Sequence, residues 1–585
     1  MNYATAGRSL PRRYNAGVTP QQPHPEPAPP RETGRGLRTV LPDLGPAGSR
    51  SALLHDSDDT DDTAATTTGT AHTGSPDLPR YRVRDHHLFT TAVFTGTLGS
   101  VLIGIGGIGA GAVPVVENSL WELPVTGFLS RLLHATTVTV FIGIALLCLA
   151  WVVLWRYCAP GRDRAGRPRR RSLPLRTVHR TAVAWIIPLL FTAPMFTQDI
   201  YSYLAQGAIA ARGMDPYSAG PVDLLGADDP LARSVPYVWA HSPAPYGPVA
   251  VGLASVISHL TGDTIGAAVI LHRLLAVGGI ALAAWALTRL ARRCRVNPTA
   301  ALWLGILNPL VLLHLVAGVH NEAVMLGLLL PGLELALRAT DPGRSRRARW
   351  WLGTAGILLI CGAGLVKVTA FLALGFTGVA LARFLGGRLR DLVVAAALHV
   401  AAAVVAVTAL CLVTGLGFGW IFVQGGASEV ISWMSATTDL GLLSNGLAES
   451  LGLGDHRDAA LTTARAVGVL IGAFWVVRML WAAFRGRIHP VGGLGVAMFF
   501  LVIFFPVVHP WYVLWAVIPL AAWADRRSFR IAVVAYSVIL SFFILPRGLN
   551  LPPGTVAVIH LMSVVFLAVV LAVGWSLYRR GRPAD

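Results

Sequence analysis

Residues 196–221 read FTQDIYSYLAQGAIAARGMDPYSAGP, and they begin where an apolar run ends. This stretch contains two aspartates, three tyrosines and an arginine, in a chain that is 54% hydrophobic and only 13% charged. A carboxylate at membrane depth is costly and usually marks a functional site. Asp199 is therefore the first candidate functional residue, and the apolar runs on either side of it determine the fold.

The apolar runs predict an all-α polytopic membrane protein. Mean hydropathy is +0.59, and many runs are long enough to cross the ~30 Å hydrocarbon core. We expect about 13–15 transmembrane helices within residues 85–580. The predicted spans lie near 88–113, 133–157, 181–197, 266–290, 298–318, 321–338, two short spans within 350–384, 391–413, 462–484, 489–508, a short span ending near 525, 528–545 and 555–578.

Residues 1–80 have a different composition. They are rich in Pro, Thr, Gly, Ala and Asp, and they contain few large apolar side chains. Such a segment buries too little surface to fold, so we expect a disordered cytoplasmic tail. The aspartate run within it is an alternative cation site. No signal peptide precedes the first apolar run, which then acts as its own anchor.

Basic loops predict the orientation. The segment CAPGRDRAGRPRRRSLPLRTVHR, residues 158–180, holds eight arginines and should face the cytoplasm. With both termini cytoplasmic, residues 197–245 and 414–460 become external loops. The run 246–262 is apolar, but crossing would invert every later basic loop. We interpret it as a re-entrant or partly inserted helix.

Charge distribution and motif context disfavour nucleic-acid binding, a cysteine-based metal site or disulfide framework, and dinucleotide binding. A formal charge of +18 would suggest nucleic acid for a soluble protein, but here the arginines cluster between apolar runs. The five cysteines show no metal-type or disulfide spacing, so we expect buried small hydrophobic residues. GIGGIG at 104–109 matches a dinucleotide pattern, but it lies within a predicted span, which favours close helix packing.

The predicted orientation brings scattered reactive residues to one external face. Asp199 is a candidate general base for a sugar hydroxyl, although a favourable acid at a helix N-terminus would look the same. Lys367 is the chain's only lysine and lies within an apolar run. A compact ammonium there suits a phosphate oxygen, but a single lysine also arises by chance. His509 and Arg547 are further candidates for binding a phosphate.

Other polar residues on this face are candidates for binding substrate, each with a structural alternative. His320, Asn321 and Glu322 either bind sugar hydroxyls or cap a helix. The aromatic residues either line a sugar pocket or belong to the interfacial belt. His272 and Arg273 are weaker candidates for the same anion site. The full set of substrate-binding candidates is Gln198, Tyr201, Tyr203, Gln206, Asp215, Tyr217, Tyr246, His320, Asn321, Glu322, Trp511 and Tyr512.

The motifs DIYSYLAQG, DPY, YGP and HNE, the lone Lys367 and HPWY together resemble the GT-C superfamily of polyprenyl-phosphate-sugar glycosyltransferases. More closely, they resemble the actinobacterial polyprenyl-phosphomannose-dependent α-1,6-mannosyltransferases of the MptA/MptB type. The resemblance covers roughly residues 85–580, outside the tail. It implies an inverting enzyme that moves mannose from a polyprenyl-phosphate-mannose donor to a lipid-anchored mannan acceptor of lipomannan and lipoarabinomannan.

The resemblance assigns Asp199 the role of the GT-C catalytic base. GT-C sites often carry paired acids, whereas here the neighbour is Gln198, so a two-acid metal site is in doubt. We expect no cofactor and no obligatory metal, with a divalent cation left open. Two alternatives remain, namely a GT-C enzyme that moves another sugar such as arabinose or glucose, and a lipid-linked sugar transporter or flippase.

The predicted orientation can be tested by labelling one engineered cysteine. Ala165→Cys, in the arginine-rich loop, should be inaccessible to a membrane-impermeant maleimide in intact cells and should react after permeabilisation. Labelling of this cysteine in intact cells would place the loop outside and reverse the predicted topology.

Overall fold

The computed structural model describes residues 83–114, 116, 124–160, 172–424, 432, 434–548 and scattered positions between 561 and 576. The predicted tail, most of the arginine-rich loop after residue 160 and nearly all of the predicted span 555–578 lie outside these described residues. The described chain is helical and contains no strand.

Helices account for most of the described chain, and short turns join them. They are α1 Val83–Ala110, α2 Pro124–Arg131, α3 Leu133–Cys158, α4 Leu175–Ile186, α5 Asp199–Ala211, α6 Pro221–Leu225, α7 Pro230–Ser234, α8 Tyr237–Ala240, α9 Pro248–Thr261, α10 Ile265–Arg293, α11 Pro298–Gly305, α12 Glu322–Ala339, α13 Arg346–Gly364, α14 Leu372–Leu385, α15 Leu389–Thr414, α16 Ala436–Ser450, α17 Arg457–Phe484, α18 Pro490–Ile503, α19 Leu514–Ala521 and α20 Arg527–Leu540. Short 3₁₀ turns at Ile187–Phe191, Val368–Phe371, Gly419–Ile421 and Pro510–Val513, and a π-helical turn at Val311–Ala317, complete the described elements.

Within the described residues, six helices are long and apolar enough to cross a membrane. A seventh is formed if the π turn Val311–Ala317 and α12, which are bent by 109°, count as one broken span. The all-α polytopic prediction is confirmed. Among the described residues, several of the apolar runs behind the expected total of about 13–15 transmembrane helices are divided into short helices.

Several predicted spans are interrupted in the structure. The predicted span 181–197 ends as a helix at Phe191, and 298–318 is divided after Gly305. The run 350–384 is divided into α13 and α14 with Lys367 in the turn, as predicted. α9, which covers most of 246–262, has 14 residues. At 1.5 Å per residue it is too short to cross the ~30 Å core, in line with a re-entrant or partly inserted helix.

Small residues let the first two long helices pack closely. α1 packs along α3, and a Cβ added at Gly106 would meet the Thr136 carbonyl oxygen at 2.8 Å. The GIGGIG segment is therefore a helix-packing surface, as predicted. The five cysteines are free and buried, also as predicted.

Two tryptophans join α3 to α11. The Trp151 indole donates to the Trp303 carbonyl at 2.9 Å, and the Trp303 indole donates to the Trp151 carbonyl at 2.8 Å. Their rings stack with centroids 5.3 Å apart. Inside an apolar bundle each indole N–H needs such a partner, and here each finds it on the other residue's backbone.

Arg273 in α10 is only 1% exposed, and its guanidinium binds backbone carbonyls. It donates to Leu190 at 2.8 Å and to Thr192 at 2.7 Å, where the 3₁₀ turn ends. It also donates to Val316 at 3.2 Å and Ala317 at 3.3 Å, at the end of the π turn. A cation there satisfies carbonyls that have no helical partner. Backbone carbonyls thus accept four hydrogen bonds from Arg273, which favours a structural role over the suggested role as a substrate-anion ligand.

Removing Arg273 should destabilise the whole bundle. Arg273→Gln leaves buried carbonyls without a charged donor, so we expect a loss of at least about 3 kcal/mol of folding free energy. The stability of Arg273→Lys should lie between those of the wild type and Arg273→Gln, because an ammonium cannot reach as many carbonyls. The thermal unfolding midpoint of detergent-purified protein measures this, with the exposed Arg347→Gln as control. Equal midpoints for Arg273→Gln and Arg347→Gln would contradict the structural role.

Candidate functional site

Asp199 is the first residue of α5. Its backbone N–H donates to the Thr197 hydroxyl at 3.0 Å, and its side chain is 27% exposed. The Trp239 side chain, from α8, hydrogen-bonds to the carboxylate. The Nδ1 atom of His320 lies 3.8 Å from the carboxylate. Asp199 is thus a partly exposed carboxylate held between two loops.

Burial and the negative charge of Glu322 raise the pKa of Asp199 to about 6, although Thr197, Lys367 and Trp239 oppose the shift. A helix N-terminus alone would stabilise the ionised form by only ~0.3–1 kcal/mol. The pKa is thus shifted in the direction opposite to the effect of a helix N-terminus. The carboxylate is therefore ionised at neutral pH and basic enough to accept a proton.

Glu322 and Lys367 form a buried ion pair beside Asp199. Glu322 begins α12, and its Oε1 lies 2.5 Å from Lys367 Nζ. The side chains are 3% and 18% exposed, respectively. The Trp511 indole donates to the same carboxylate oxygen at 3.3 Å. The alternative reading of His320-Asn321-Glu322 as a cap is not observed, because Asn321 precedes α12 without a side-chain cap.

Aromatic rings surround the Lys367 ammonium. It lies 4.1 Å from the centre of the Tyr512 ring and 4.7 Å from that of Trp515, and the two rings are stacked. Burial lowers the pKa of Lys367, but Glu322 and Tyr512 more than offset this, so the pKa is raised. Lys367 therefore remains charged, with cation–π contacts in addition to the ion pair.

Trp511 stacks with two histidines. Its ring lies 3.9 Å from that of His320 and 4.6 Å from that of His509. Burial and the charge of Lys367 lower the pKa of His509 to about 4, against a smaller opposing effect of Glu322. His509 is therefore neutral at pH 7. It can offer a phosphate a hydrogen bond, but not the positive charge that the sequence suggested.

Two tyrosines lie close to the acidic groups. Tyr246 donates to the Tyr203 hydroxyl at 3.4 Å, and the rings meet edge to face at 5.1 Å. Burial, Tyr246, Asp199 and Glu322 raise the pKa of Tyr203 well above its ordinary value. The helix Asp199–Ala211 places Tyr203 one turn after Asp199.

Arg547 lies beside the loop that carries Asp199. Its Nε donates to the Gly111 carbonyl at 3.4 Å. The carbonyl of the preceding residue, Pro546, accepts from the Phe196 N–H at 2.6 Å, and a Cβ added at Gly548 would approach the Thr197 backbone to 3.0 Å. The half-buried guanidinium is thus adjacent to the loop.

Several predicted binding residues make structural contacts, and their roles in binding stay predictions. The Tyr201 hydroxyl donates to the Ala112 carbonyl at 2.6 Å and joins α5 to the end of α1. Asp215 is exposed and accepts from the Tyr217 N–H at 2.9 Å, which shapes the DPY turn. Tyr217 packs in a separate cluster with Trp420. Gln206 is buried two turns along α5 from Asp199.

Gln198 and Asn321, which precede α5 and α12, complete the predicted set of substrate-binding residues. Gln198 is half-buried and precedes α5 without a side-chain cap, and Asn321 is likewise half-buried. Both are adjacent in sequence to residues of the cluster. Their roles stay predictions.

The backbone is strained just before both loops of the site. Phe196 has φ 65° and Val319 has φ 57°, in the left-handed region. A β-branched residue there is an outlier that costs on the order of 1–3 kcal/mol. Phe196 leads into Thr197 and Asp199, and Val319 leads into His320 and Glu322. Such strain is concentrated at functional sites.

Three buried polar atoms in this cluster have no described hydrogen-bond partner. They are His320 Nε2, His314 Nδ1 and Trp515 Nε1. His314 packs on Trp511 at 4.8 Å. Unsatisfied buried polar atoms are uncommon in folded proteins, and here they lie together. The cluster thus has unused capacity for a polar ligand.

Sequence reasoning missed Trp239, His314 and Trp515. Trp515 lies three residues after Tyr512 and was detectable from that spacing, because residues i and i+3 share a helical face. Nothing in the sequence pairs Trp239 with Asp199, since their contact depends on the path of the loop between them. Within the described residues, no group of three His, Cys, Asp or Glu side chains is arranged to hold a metal ion.

Comparison with known proteins identifies the family. The family described as alpha-(1->6)-mannopyranosyltransferase, N-terminal domain, matches residues 93–383, and the MptB C-terminal domain matches residues 437–572. Alpha-(1->6)-mannopyranosyltransferase B of Corynebacterium glutamicum is 47% identical over 561 residues, covering 93% of this chain and 92% of the relative. No solved structure shows a significant match.

Two further relatives extend the comparison. A probable alpha-(1->6)-mannopyranosyltransferase of Mycolicibacterium smegmatis is 43% identical, covering 77% of this chain and 81% of its own length. Alpha-(1->6)-mannopyranosyltransferase A of C. glutamicum is 30% identical, covering 64% of this chain and 76% of its own. This chain is thus a multi-pass membrane protein of the glycosyltransferase class.

It belongs to the alpha-(1->6)-mannopyranosyltransferase family, which confirms the resemblance seen in the sequence. One expectation about its extent was wrong. A match covering 93% of the chain must include part of residues 1–80, which the sequence placed outside the resemblance.

The ion pair allows a prediction about stability. Lys367→Met leaves the Glu322 carboxylate buried without its cation, so the folding free energy should fall by roughly 3–5 kcal/mol. Lys367→Met combined with Glu322→Gln should recover most of that loss, because no unpaired charge remains. Thermal unfolding of the purified variants measures both. A double variant no more stable than Lys367→Met would show that the pair does not account for the loss.

Proposed function

We propose that this mannosyltransferase uses a polyprenyl-phosphate-mannose donor and a lipid-anchored mannan acceptor, forming α-1,6 linkages in lipomannan and lipoarabinomannan. The chain is 47% identical to the B protein of C. glutamicum and 30% identical to its A protein, so its sequence is more similar to the B type. We also propose a plasma-membrane location with the site facing outward. The apolar helices support the membrane location, and the arginine-rich segment 158–180, which is expected to face the cytoplasm, supports the outward orientation.

The cluster around Asp199 supplies the groups that such a transfer needs. In the proposed reaction an acceptor hydroxyl attacks C1 of mannose as its proton passes to Asp199. The new bond from C1 to the acceptor oxygen forms, and the bond from C1 to the phosphate oxygen breaks. The electron pair leaves with the polyprenyl phosphate, and the β-linked donor gives an α-linked product by inversion.

The phosphate leaving group requires charge stabilisation and no proton donor. In the proposed reaction the phosphate binds the Lys367 ammonium, which pairs with Glu322 and belongs to a side chain that is 18% exposed. His509 would add a neutral hydrogen bond and Arg547 a second cation. No metal enters this proposed mechanism.

The observation that carries the proposal is the group of unsatisfied buried atoms beside Asp199 and Lys367. His320 Nε2 and Trp515 Nε1 have no described partner, although Trp515 contacts Lys367 and His320 contacts Asp199. A sugar phosphate offers both the oxygens and the apolar ring face that imidazole and indole groups bind. The same groups would also suit another polyprenyl-phosphate sugar, so the sugar must be tested directly.

The donor can be identified with the purified protein and a short α-1,6-mannoside acceptor. Radiolabelled polyprenyl-phosphate mannose, arabinose and glucose are supplied separately, with and without a chelator. The proposal expects transfer from the mannose donor alone, chelator-insensitive, with an α-1,6 product by NMR. Transfer of arabinose or glucose at a comparable rate would assign another donor. Flipping of labelled lipid across vesicles without transfer would favour the transporter alternative.

Asp199→Asn should reduce transfer by roughly 10²–10⁴-fold, because it keeps size and hydrogen bonding but removes the base. The matched control is Asp215→Asn, in the turn that follows α5, where an amide oxygen still accepts from the Tyr217 N–H. The control should retain near-normal transfer. If Asp199→Asn transfers mannose at the wild-type rate, the base is another residue, and Glu322 is the next candidate.

The raised pKa of Asp199, about 6, predicts how activity depends on pH. The base is present above this pKa and is lost as pH falls through it, so kcat/KM should halve near pH 6. An unperturbed aspartate would stay active down to about pH 4. Glu322→Gln removes a negative charge that raises the pKa of Asp199, so the acidic limb of the variant's kcat/KM profile should shift to lower pH. If the acidic limb of kcat/KM in Glu322→Gln matches that of the wild type, Asp199 is not the titrating group.

A further inference from the structure

An open groove lies at the far end of the bundle from Asp199. Its volume is about 490 Å³, and it is lined by Arg289, Arg292, Arg293, Glu334 and Arg338; we name it the arginine groove. Glu322 begins α12 and Arg338 lies in its last turn. Sixteen residues of helix separate the groove from the candidate site by about 24 Å.

The arginine groove carries excess positive charge. Arg293 is neutralised by Glu334 at 3.1 Å and Asp341 at 2.6 Å, and this network ties α10 to α12. No ion pair with Arg289, Arg292 or Arg338 is described in the structure. Three arginines without a carboxylate therefore surround one cavity, which suits an anionic ligand with several oxygen acceptors.

A line of exposed apolar residues runs along α10 to the groove. Leu274 is 52% exposed, Leu282 49% and Trp285 38%. They and Gly278 recur every three or four residues, so they share one face of the helix. A Cβ added at Gly278 would meet nothing within 4 Å, so the helix surface is open there.

Trp285 joins the apolar line to the charged groove. The Arg289 guanidinium lies 4.2 Å from the centre of the Trp285 ring, one turn earlier on α10. Tryptophan is enriched at the depth of lipid headgroups, where one side of the ring is apolar and the other is wet. The groove therefore lies where a lipid-facing surface meets water, which suits an amphiphile better than a free ion.

We propose that the arginine groove binds one anionic phospholipid, whose phosphate lies between Arg289, Arg292 and Arg338. Its acyl chains follow the line from Trp285 to Leu274. Basic pockets between membrane helices bind anionic headgroups in this way. The site is separate from the mannosyl transfer site and does not depend on the identity of the donor.

The test compares lipid binding by two double variants of equal charge. Arg292→Gln/Arg338→Gln alters the groove. Arg344→Gln/Arg347→Gln alters two exposed arginines between the end of α12 and the first turn of α13. Full-length protein in neutral detergent is titrated with phosphatidylglycerol and with phosphatidylcholine, and bound lipid is counted by native mass spectrometry. Wild type and control should bind phosphatidylglycerol about 10- to 30-fold more tightly than the groove variant does.

Two outcomes would overturn the proposal. Equal phosphatidylglycerol binding by the groove and control variants, with unchanged thermal stability, would show that the groove is not the site. Displacement of the bound lipid by inorganic phosphate at equal concentration would make the occupant a free anion, with no part for the apolar line. A Leu282→Gln variant that weakens lipid binding while folding normally would support the proposal.

Discussion

Arg273 joins the two strained loops of the site. Its guanidinium binds the carbonyls of Leu190 and Thr192, just before the Asp199 loop, and those of Val316 and Ala317, just before His320. In an apolar bundle these carbonyls have no water to bind, so a single buried cation holds the ends of the 3₁₀ turn and of the π turn in place. The approach of His320 to Asp199 follows from that constraint.

The site is built where apolar runs stop being helices. Asp199 follows the end of one run, Glu322 begins the helix after a 109° bend, and Lys367 lies in the turn between α13 and α14. Each break exposes backbone groups and frees side chains from the helix surface. A membrane protein that must bind a polar substrate requires such interruptions, because an unbroken apolar helix offers lipid only carbon and hydrogen.

Hydropathy and basic loops predicted the membrane class, the turn at Lys367 and the polar residues that meet at one end of the bundle. They could not assign partners. Arg273 looked like an anion ligand because it is a cation within an apolar run. Its donors bind backbone carbonyls, which are identical at every position, so the sequence does not indicate them as partners. Lys367 looked like a free phosphate ligand because Glu322 lies 45 residues away in the sequence. Distant pairing, and the path of the loop that brings Trp239 to Asp199, are set by packing.

In the proposed reaction, the ion pair of Glu322 with Lys367 leaves Asp199 as the group whose charge changes. With the proposed donor, an ionised Asp199 and a singly charged phosphodiester become a neutral carboxylic acid and a phosphomonoester that can carry two charges. The total charge inside the bundle is then the same before and after transfer. The protein need not bring a counter-ion into a medium of low dielectric during the reaction. The proton on Asp199 has to leave afterwards, and the 27% of that side chain still open to solvent provides its exit.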